Sequence, residues 1–276
     1  MNNIFKELKG IGLSDFSDVT LYEHKKPVMV NNVVYEKSQK TEKDFIYDKK
    51  FECPVCNCNF TSKVMKSKCA KLVGRDFDYK PNYEEIEAIK YNVVMCPRCG
   101  YSNLINNFTN ISPKQKEMFK EKMNTAIYYP FKNEICTQEE AIIKFKMALL
   151  TNVYIKSNYS TKAFICLQLS WLYRSFANMT NNQENKAYFL KSEKDFYKKA
   201  FEGYVYALQL ERPPLSVWDE NKFYYIFACL AYRNGYSLIA LRFISNVVLQ
   251  KSSSKELKDR ARTLRDTIKA EMEENV

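Results

Sequence analysis

Cys53-Pro54-Val55-Cys56 and, after a connection of 39 residues, Cys96-Pro97-Arg98-Cys99-Gly100 are the two stretches that decide how this 276-residue chain folds. Two cysteines separated by two residues place both thiolates on one ion, because the tight turn between them aims backbone amides at the sulfurs. Two such turns supply four ligands. Gly100 follows the second turn and tolerates the positive φ of a knuckle, and Asn57 stands at the equivalent place after the first. Four thiolates closing a tetrahedron leave no position for water or substrate, so the expected centre is structural rather than catalytic. Cys53, Cys56, Cys96 and Cys99 are predicted to hold one structural zinc ion. A substitution of Cys58 or Cys69 into the ligand set, or iron in place of zinc, is the variant reading. The connection is longer than the roughly 15 to 20 residues of the commonest pattern, so the site must accommodate an insertion.

Working outward, the chain carries nine cysteines and only one histidine. An odd cysteine count without a signal-peptide pattern argues for reduced thiols rather than a disulfide framework. Cys136, Cys166 and Cys229 fall among helical patterns, where a free cysteine acts as a small apolar filler. Around the paired motifs the pattern is one of short apolar runs such as Phe45-Ile46-Tyr47 and Tyr91-Asn92-Val93-Val94-Met95, which read as strands. After Ser112 the periodicity becomes helical and stays so, with loops at Tyr129-Pro130, Thr180 to Gln183 and Arg212-Pro213-Pro214. The expected organisation is a lead-in segment over 1–43, a zinc-ribbon-like β domain over 44–111 and an irregular tetratricopeptide-like α-helical domain over 112–276. The class is α+β, mostly α. On this division, loss of Cys96 is expected to unfold the first domain and leave the second cooperative.

The helical part repeats a spacing. Ala141-x3-Phe145-x2-Ala148 recurs as Ala200-x3-Tyr204-x2-Ala207 and, less strictly, as Ala240-x3-Ile244-x2-Val247. A small residue lets a paired helix approach and the larger one fills the space beyond, as in the second helix of a tetratricopeptide repeat. Tyr224, Phe227 and Ala228 ahead of Gly235 supply the preceding helix and turn of the third copy. The copies start 59 and 40 residues apart rather than at the regular spacing, so irregular helical hairpins are expected. Thr137 with Glu140, and Ser253 with Glu256, read as capping boxes that start helices near 138 and 254.

Composition bounds the function. With 46% apolar and 27% charged residues and only 6 Gly and 8 Pro, the chain is neither disordered nor collagen-like. No apolar run reaches the roughly 18 to 20 residues of a membrane span, and a cytoplasmic location is expected. The net charge of +11 invites a nucleic-acid reading, with Lys63, Lys66, Lys68, Lys71, Arg75 and Arg98 interleaved with Phe60 and Tyr101. Against it, 34 of the 43 cations are lysine, Asp76, Asp78, Glu84, Glu85 and Glu87 follow closely, and no block of five like charges occurs. His24 lies beside Lys25 and Lys26 as a surface histidine, nucleotide-loop, zinc-protease and serine-hydrolase motifs are absent, and the paired acids read as solvated faces. No catalytic residue and no organic cofactor are expected.

Gly12-Leu13, Leu21-Tyr22-Glu23, Glu52-Cys53-Pro54-Val55-Cys56, Lys90-Tyr91 ahead of Cys96-Pro97-Arg98-Cys99-Gly100-Tyr101, Asn107-Phe108, Ile165-Cys166-Leu167 and Trp171-Leu172-Tyr173-Arg174 together resemble the bacterial domain-of-unknown-function 2225 family. The resemblance covers most of the chain. It implies a zinc-ribbon-like part joined to tetratricopeptide-like helices, and no established activity. The expected function is a non-enzymatic cytosolic zinc-binding adaptor that takes a protein partner in a helical-repeat groove. A nucleic-acid-associated zinc-ribbon factor is the alternative.

Overall fold

The computed structural model describes residues 40–123, 133–215 and 217–274. The lead-in up to residue 39, with His24, and the Tyr129-Pro130 loop lie outside the described residues. Short apolar runs broken by Cys, Pro and Gly are too brief for helices, and they pair as three separate antiparallel hairpins. β1 (Ile46–Glu52) pairs with β2 (Asn59–Met65), β3 (Leu72–Arg75) with β4 (Pro81–Tyr83), and β5 (Val93–Met95) with β6 (Ser102–Leu104). Registers Glu52↔Asn59 and Met95↔Ser102 leave six-residue connections, which are the two cysteine turns.

Helices follow from Ser112 onward, as the change in periodicity predicts. They are α1 (Pro113–Lys122), α2 (Gln138–Tyr154), α3 (Tyr159–Met179), α4 (Gln183–Leu210), α5 (Glu220–Arg233), α6 (Ser237–Leu249) and α7 (Lys255–Glu274). Ser112 and Gln115 form a reciprocal capping box with Pro113 at the first helical position. Thr137 Oγ1 accepts from the Glu140 amide at 3.2 Å to start α2. At α7 the cap is one residue later than expected. Ser254 Oγ accepts from the Leu257 amide at 3.2 Å, Ser253 is buried, and Glu256 pairs with Arg260 instead of reaching back. The molecule is thus α+β and mostly α.

The repeated spacing marks buried seams. All nine residues of the three copies are fully buried, on α2, α4 and α6. α4 and α6 are second helices of the hairpins α3–α4 and α5–α6, whereas α2 packs on β5 and β6 as well as α3. The uneven copy spacing follows, because the 21-residue α3 and the part of the 28-residue α4 ahead of Ala200 lie between the first two copies. Gly235, at φ +84°, makes the turn between α5 and α6, where the Tyr236 amide donates back to Ala231 O at 2.9 Å.

One glycine is required for packing alone. A Cβ on Gly203 of α4 would lie 2.9 Å from Ala163 Cβ near the start of α3, which also shows that the two helices run antiparallel. Gly203→Ala gains about 1 kcal/mol of helix propensity but meets an overpacking penalty of about 1–3 kcal/mol. The expected result is a lower urea midpoint; a midpoint at or above wild type would show that α3 and α4 separate freely.

The core does not stop at residue 111. Phe45, Ile89, Tyr91, Val93 and Leu104 belong to one buried cluster with Phe145, Leu172, Tyr204, Phe227 and Ile268. Polar ties cross the same boundary: Asn92 Nδ2 donates to Gln168 Oε1 at 2.9 Å, and the Ser102 amide to Thr151 Oγ1 at 3.3 Å. Among the described residues no helix is long and apolar enough to cross a membrane.

Candidate metal centre

The two cysteine turns are built alike. In the first, the Cys53 amide donates to Cys58 O and the Asn57 amide to Cys53 O, both at 2.9 Å. In the second, the Cys96 amide donates to Tyr101 O at 2.9 Å and the Gly100 amide to Cys96 O at 3.0 Å. Asn57 sits at φ 55° and Gly100 at φ 76°, so the residue after each motif takes the left-handed conformation that the sequence indicates. An L-residue there costs about 1–2 kcal/mol unless it is Asn or Asp. Gly100→Ala is therefore expected to weaken metal retention in a chelator titration, while Asn57→Gly leaves it unchanged. Equal behaviour of the two variants would show that the turn conformation does not matter to the site.

Folding of the hairpins brings the four thiols together. Cys53 Sγ lies 3.6 Å from Cys99 Sγ, Cys56 Sγ lies 3.6 Å from Cys96 Sγ, and all four sulfurs are within 4.8 Å of one another. A disulfide would need about 2.05 Å. A tetrahedron with metal–sulfur bonds of about 2.3 Å has edges of about 3.8 Å, so the spacing fits one ion held by four sulfurs. Cys53 and Cys96 are fully buried; Val55, Val94, Tyr101, Phe108 and Phe119 pack beside them. Hydrogen bonds from the Cys96 and Cys99 thiols draw the Cys53 thiol down to about 4, with the amides of Cys56 and Val55 adding to the effect. The same contacts with Cys53 and Cys96 hold the proton on Cys99 far above the thiol range. Four clustered thiols, losing their protons on metal capture, are the donor set that a soft or borderline metal ion takes.

Cys58 occupies, in the first turn, the place of Tyr101 in the second. The Cys58 thiol borders the cluster without being one of its four mutually close sulfurs, and it donates to Asn59 O at 3.6 Å. Cys69 is exposed and apart from it, while Cys136, Cys166 and Cys229 are buried fillers. Of the six cations singled out beside the ribbon, three meet oxygens of the chain. Lys63 pairs with Asp48 at 2.8 Å, Lys71 with Glu84 at 3.0 Å, and Lys66 donates to Asp44 O at 2.9 Å. Tyr101 is fully buried, donating to Phe108 O at 3.1 Å, and Phe60 packs on Phe51 and Phe108.

The paired acids divide. Glu84 and Glu85 are exposed, as read, but Asp76 and Asp78 are not a solvated face: Asp78 is fully buried. Its Oδ2 accepts from Arg174 Nη2 at 2.7 Å and Trp171 Nε1 at 3.0 Å, and Asp76 Oδ2 accepts from Arg174 Nη1 at 3.0 Å. Glu193 Oε1 in turn takes Arg174 at 3.0 Å and Arg233 at 2.6 Å. Burial alone would raise the Glu193 carboxyl, but Arg233 and Arg174 outweigh it and hold it below its usual value. Trp171, three residues before Arg174 on one face of α3, was the available signal, since an indole N–H and a guanidinium side by side ask for a carboxylate.

Fold and site together define a mostly helical α+β protein with a four-cysteine cluster that can hold a metal ion. The model of the family described as "Uncharacterized protein conserved in bacteria (DUF2225)" matches residues 46–268, and the chain belongs to that family. An uncharacterized protein of Borreliella burgdorferi is similar, with 24% identity over 185 residues that cover 59% of this chain and 63% of the relative. The match thus spans less than two thirds of that relative's length. No solved structure matches the chain.

Proposed function

We propose that the protein is a non-enzymatic cytoplasmic adaptor in which one zinc ion fixes the cysteine hairpins and the tetratricopeptide-like helices receive a protein partner. The observation that carries this reading is a four-thiol cluster, with Cys53 and Cys96 buried and Cys56 and Cys99 half-buried, in a chain whose helical hairpins turn one face of their first helices, α3 and α5, toward the β3–β4 connection. Stacked helix pairs offer an extended surface for a peptide or partner helix. Four sulfurs at tetrahedral spacing suit zinc or a single iron, and zinc is the redox-silent choice for a structural role. Engagement of Lys63, Lys66 and Lys71 by neighbouring oxygens, with Tyr101 buried, speaks against phosphate and base contacts on the ribbon.

Affinity capture from the native host, with and without nuclease and with metal content measured on the captured protein, tests the reading. The expected result is one equivalent of zinc, no visible iron absorption and a near-stoichiometric, nuclease-insensitive protein partner. A nuclease-sensitive set, or no specific partner, would overturn the adaptor role.

A further inference from the structure

The face made by the first helices of successive hairpins is already occupied by the chain itself. The connection between β3 and β4 reaches it with Asp76-Phe77-Asp78-Tyr79. Asp78 binds Trp171 and Arg174 of α3, as described above. Phe77 O accepts from Tyr225 Oη of α5 at 2.7 Å and from Cys229 Sγ at 3.6 Å. The Phe77 ring lies 5.5 Å from the Arg174 guanidinium and 5.6 Å from that of Arg233. Asp76 O accepts from Arg260 Nη1 of α7 at 3.2 Å, and the Arg260 guanidinium stands 5.1 Å over the Tyr79 ring. Three helices, α3, α5 and α7, thus grip one short acidic and aromatic segment.

From this we infer that the helical face is a recognition site for acidic peptides carrying an Asp-aromatic-Asp core, and that Asp76–Tyr79 is its displaceable intramolecular occupant. The inference rests on the adaptor reading and names the partner's chemistry. Charge complementarity points the same way: with the segment withdrawn, Arg174, Arg233 and Arg260 face the site and Glu193 is the carboxylate shared by the first two. Glu193 is also what makes withdrawal feasible. Its bonds to Arg174 at 3.0 Å and to Arg233 at 2.6 and 3.1 Å remain when the segment leaves, so neither guanidinium is stranded without an anion. β3 and β4 bond only to each other, as a two-stranded sheet separate from the other strands. Phe77 is 40% exposed, so an incoming peptide can begin exchange at that ring.

A fluorescein-labelled peptide of the sequence of residues 76–79, labelled at its amino terminus and amidated, is titrated by anisotropy against the full chain and its Phe77→Ala variant. An occupied site lowers apparent affinity by the fraction open, so loosening the occupant is expected to tighten peptide binding about tenfold. Arg233→Ala in the Phe77→Ala background is expected to abolish it, and a scrambled peptide to bind neither protein. Equal affinity for wild type and Phe77→Ala, or no binding to a Phe77→Ala protein with a wild-type melt, would overturn the inference. Amide hydrogen exchange on the wild-type protein gives a second reading. The Tyr79 amide, bonded to Asp76 O at 3.1 Å, and the Asp76 amide, bonded to Lys80 O at 2.9 Å, are expected to exchange through a local opening. Exchange only through global unfolding would show that the segment is fixed core. A host partner whose capture an excess of the peptide does not reduce would leave the adaptor role standing on another face and sink this inference.

Discussion

Replacing Cys96 with serine is expected to strip the metal and to lower the stability of the whole described body, rather than of its cysteine hairpins alone. Cys96 is fully buried, and its Sγ lies 3.6 Å from Cys56 Sγ across the two turns. Apparent binding free energies of structural zinc are about 10–16 kcal/mol in small peptides near neutral pH, comparable to the entire stability of a typical domain, about 5–15 kcal/mol. Val93 and Leu104, on the strands flanking Cys96, belong to the same cluster as Phe145 and Leu172. Disorder in β5–β6 therefore removes packing from α2 directly. Circular dichroism melts with and without chelator, together with metal content, check this. Full metal and a wild-type melt in the mutant would show the ligand set to be wrong. Two separate transitions, the helical one unchanged, would show that the shared core contributes little.

Glu193→Ala is the second large effect. Glu193 is 4% exposed and is held by two guanidiniums, Arg174 largely buried and Arg233 partly open to solvent. Removing one partner of a buried ion pair typically costs about 3–5 kcal/mol, because the charge left behind loses its compensation. Here Arg174 keeps Asp76 and Asp78, so the cation that loses its partner is Arg233, beside the Tyr197 ring at 4.4 Å, and because water reaches it the loss falls below that range. Denaturant midpoints are expected to fall accordingly, with Glu193→Gln less damaging because the amide oxygen still accepts. Since the folded carboxyl titrates below its unfolded value, its contribution is complete above the unfolded pKa near 4.5 and is lost as the pH falls through the folded value. Wild type and Glu193→Gln should therefore converge in stability on acidification; parallel pH profiles would refute the assignment.

What the sequence discloses is what local chemistry decides. The cysteine turns are legible because a knuckle is six residues long and its left-handed position announces itself through Gly100 and, less plainly, Asn57. The buried seams on α2, α4 and α6 are legible because small and large residues alternate at helical spacing within each element. The Asp78–Arg174 pair is not, since 96 residues separate its members and nothing local distinguishes Asp76 and Asp78 from Glu84 and Glu85. Lys80, Lys90 and Lys144 look like surface lysines in a lysine-rich chain, yet each is buried against a carboxylate, Glu87, Glu42 and Glu140 respectively. The cap falls at Ser254 rather than Ser253, since three serines run together and only the hydroxyl geometry selects among them.

The unusual length of chain between the cysteine pairs has a bearing on the segment at its middle. Asp76 lies midway between Cys56 and Cys96. When one ion gathers both pairs, the connection becomes a closed loop, and the ordering entropy of its closure grows only with the logarithm of its length. Its tip then explores a small volume over α3, α5 and α7 instead of ranging on an open tether, which raises its effective concentration there. Metal capture at the thiols and retention of Asp76–Tyr79 against the helices are in this way thermodynamically linked through the loop, without any contact between the two places.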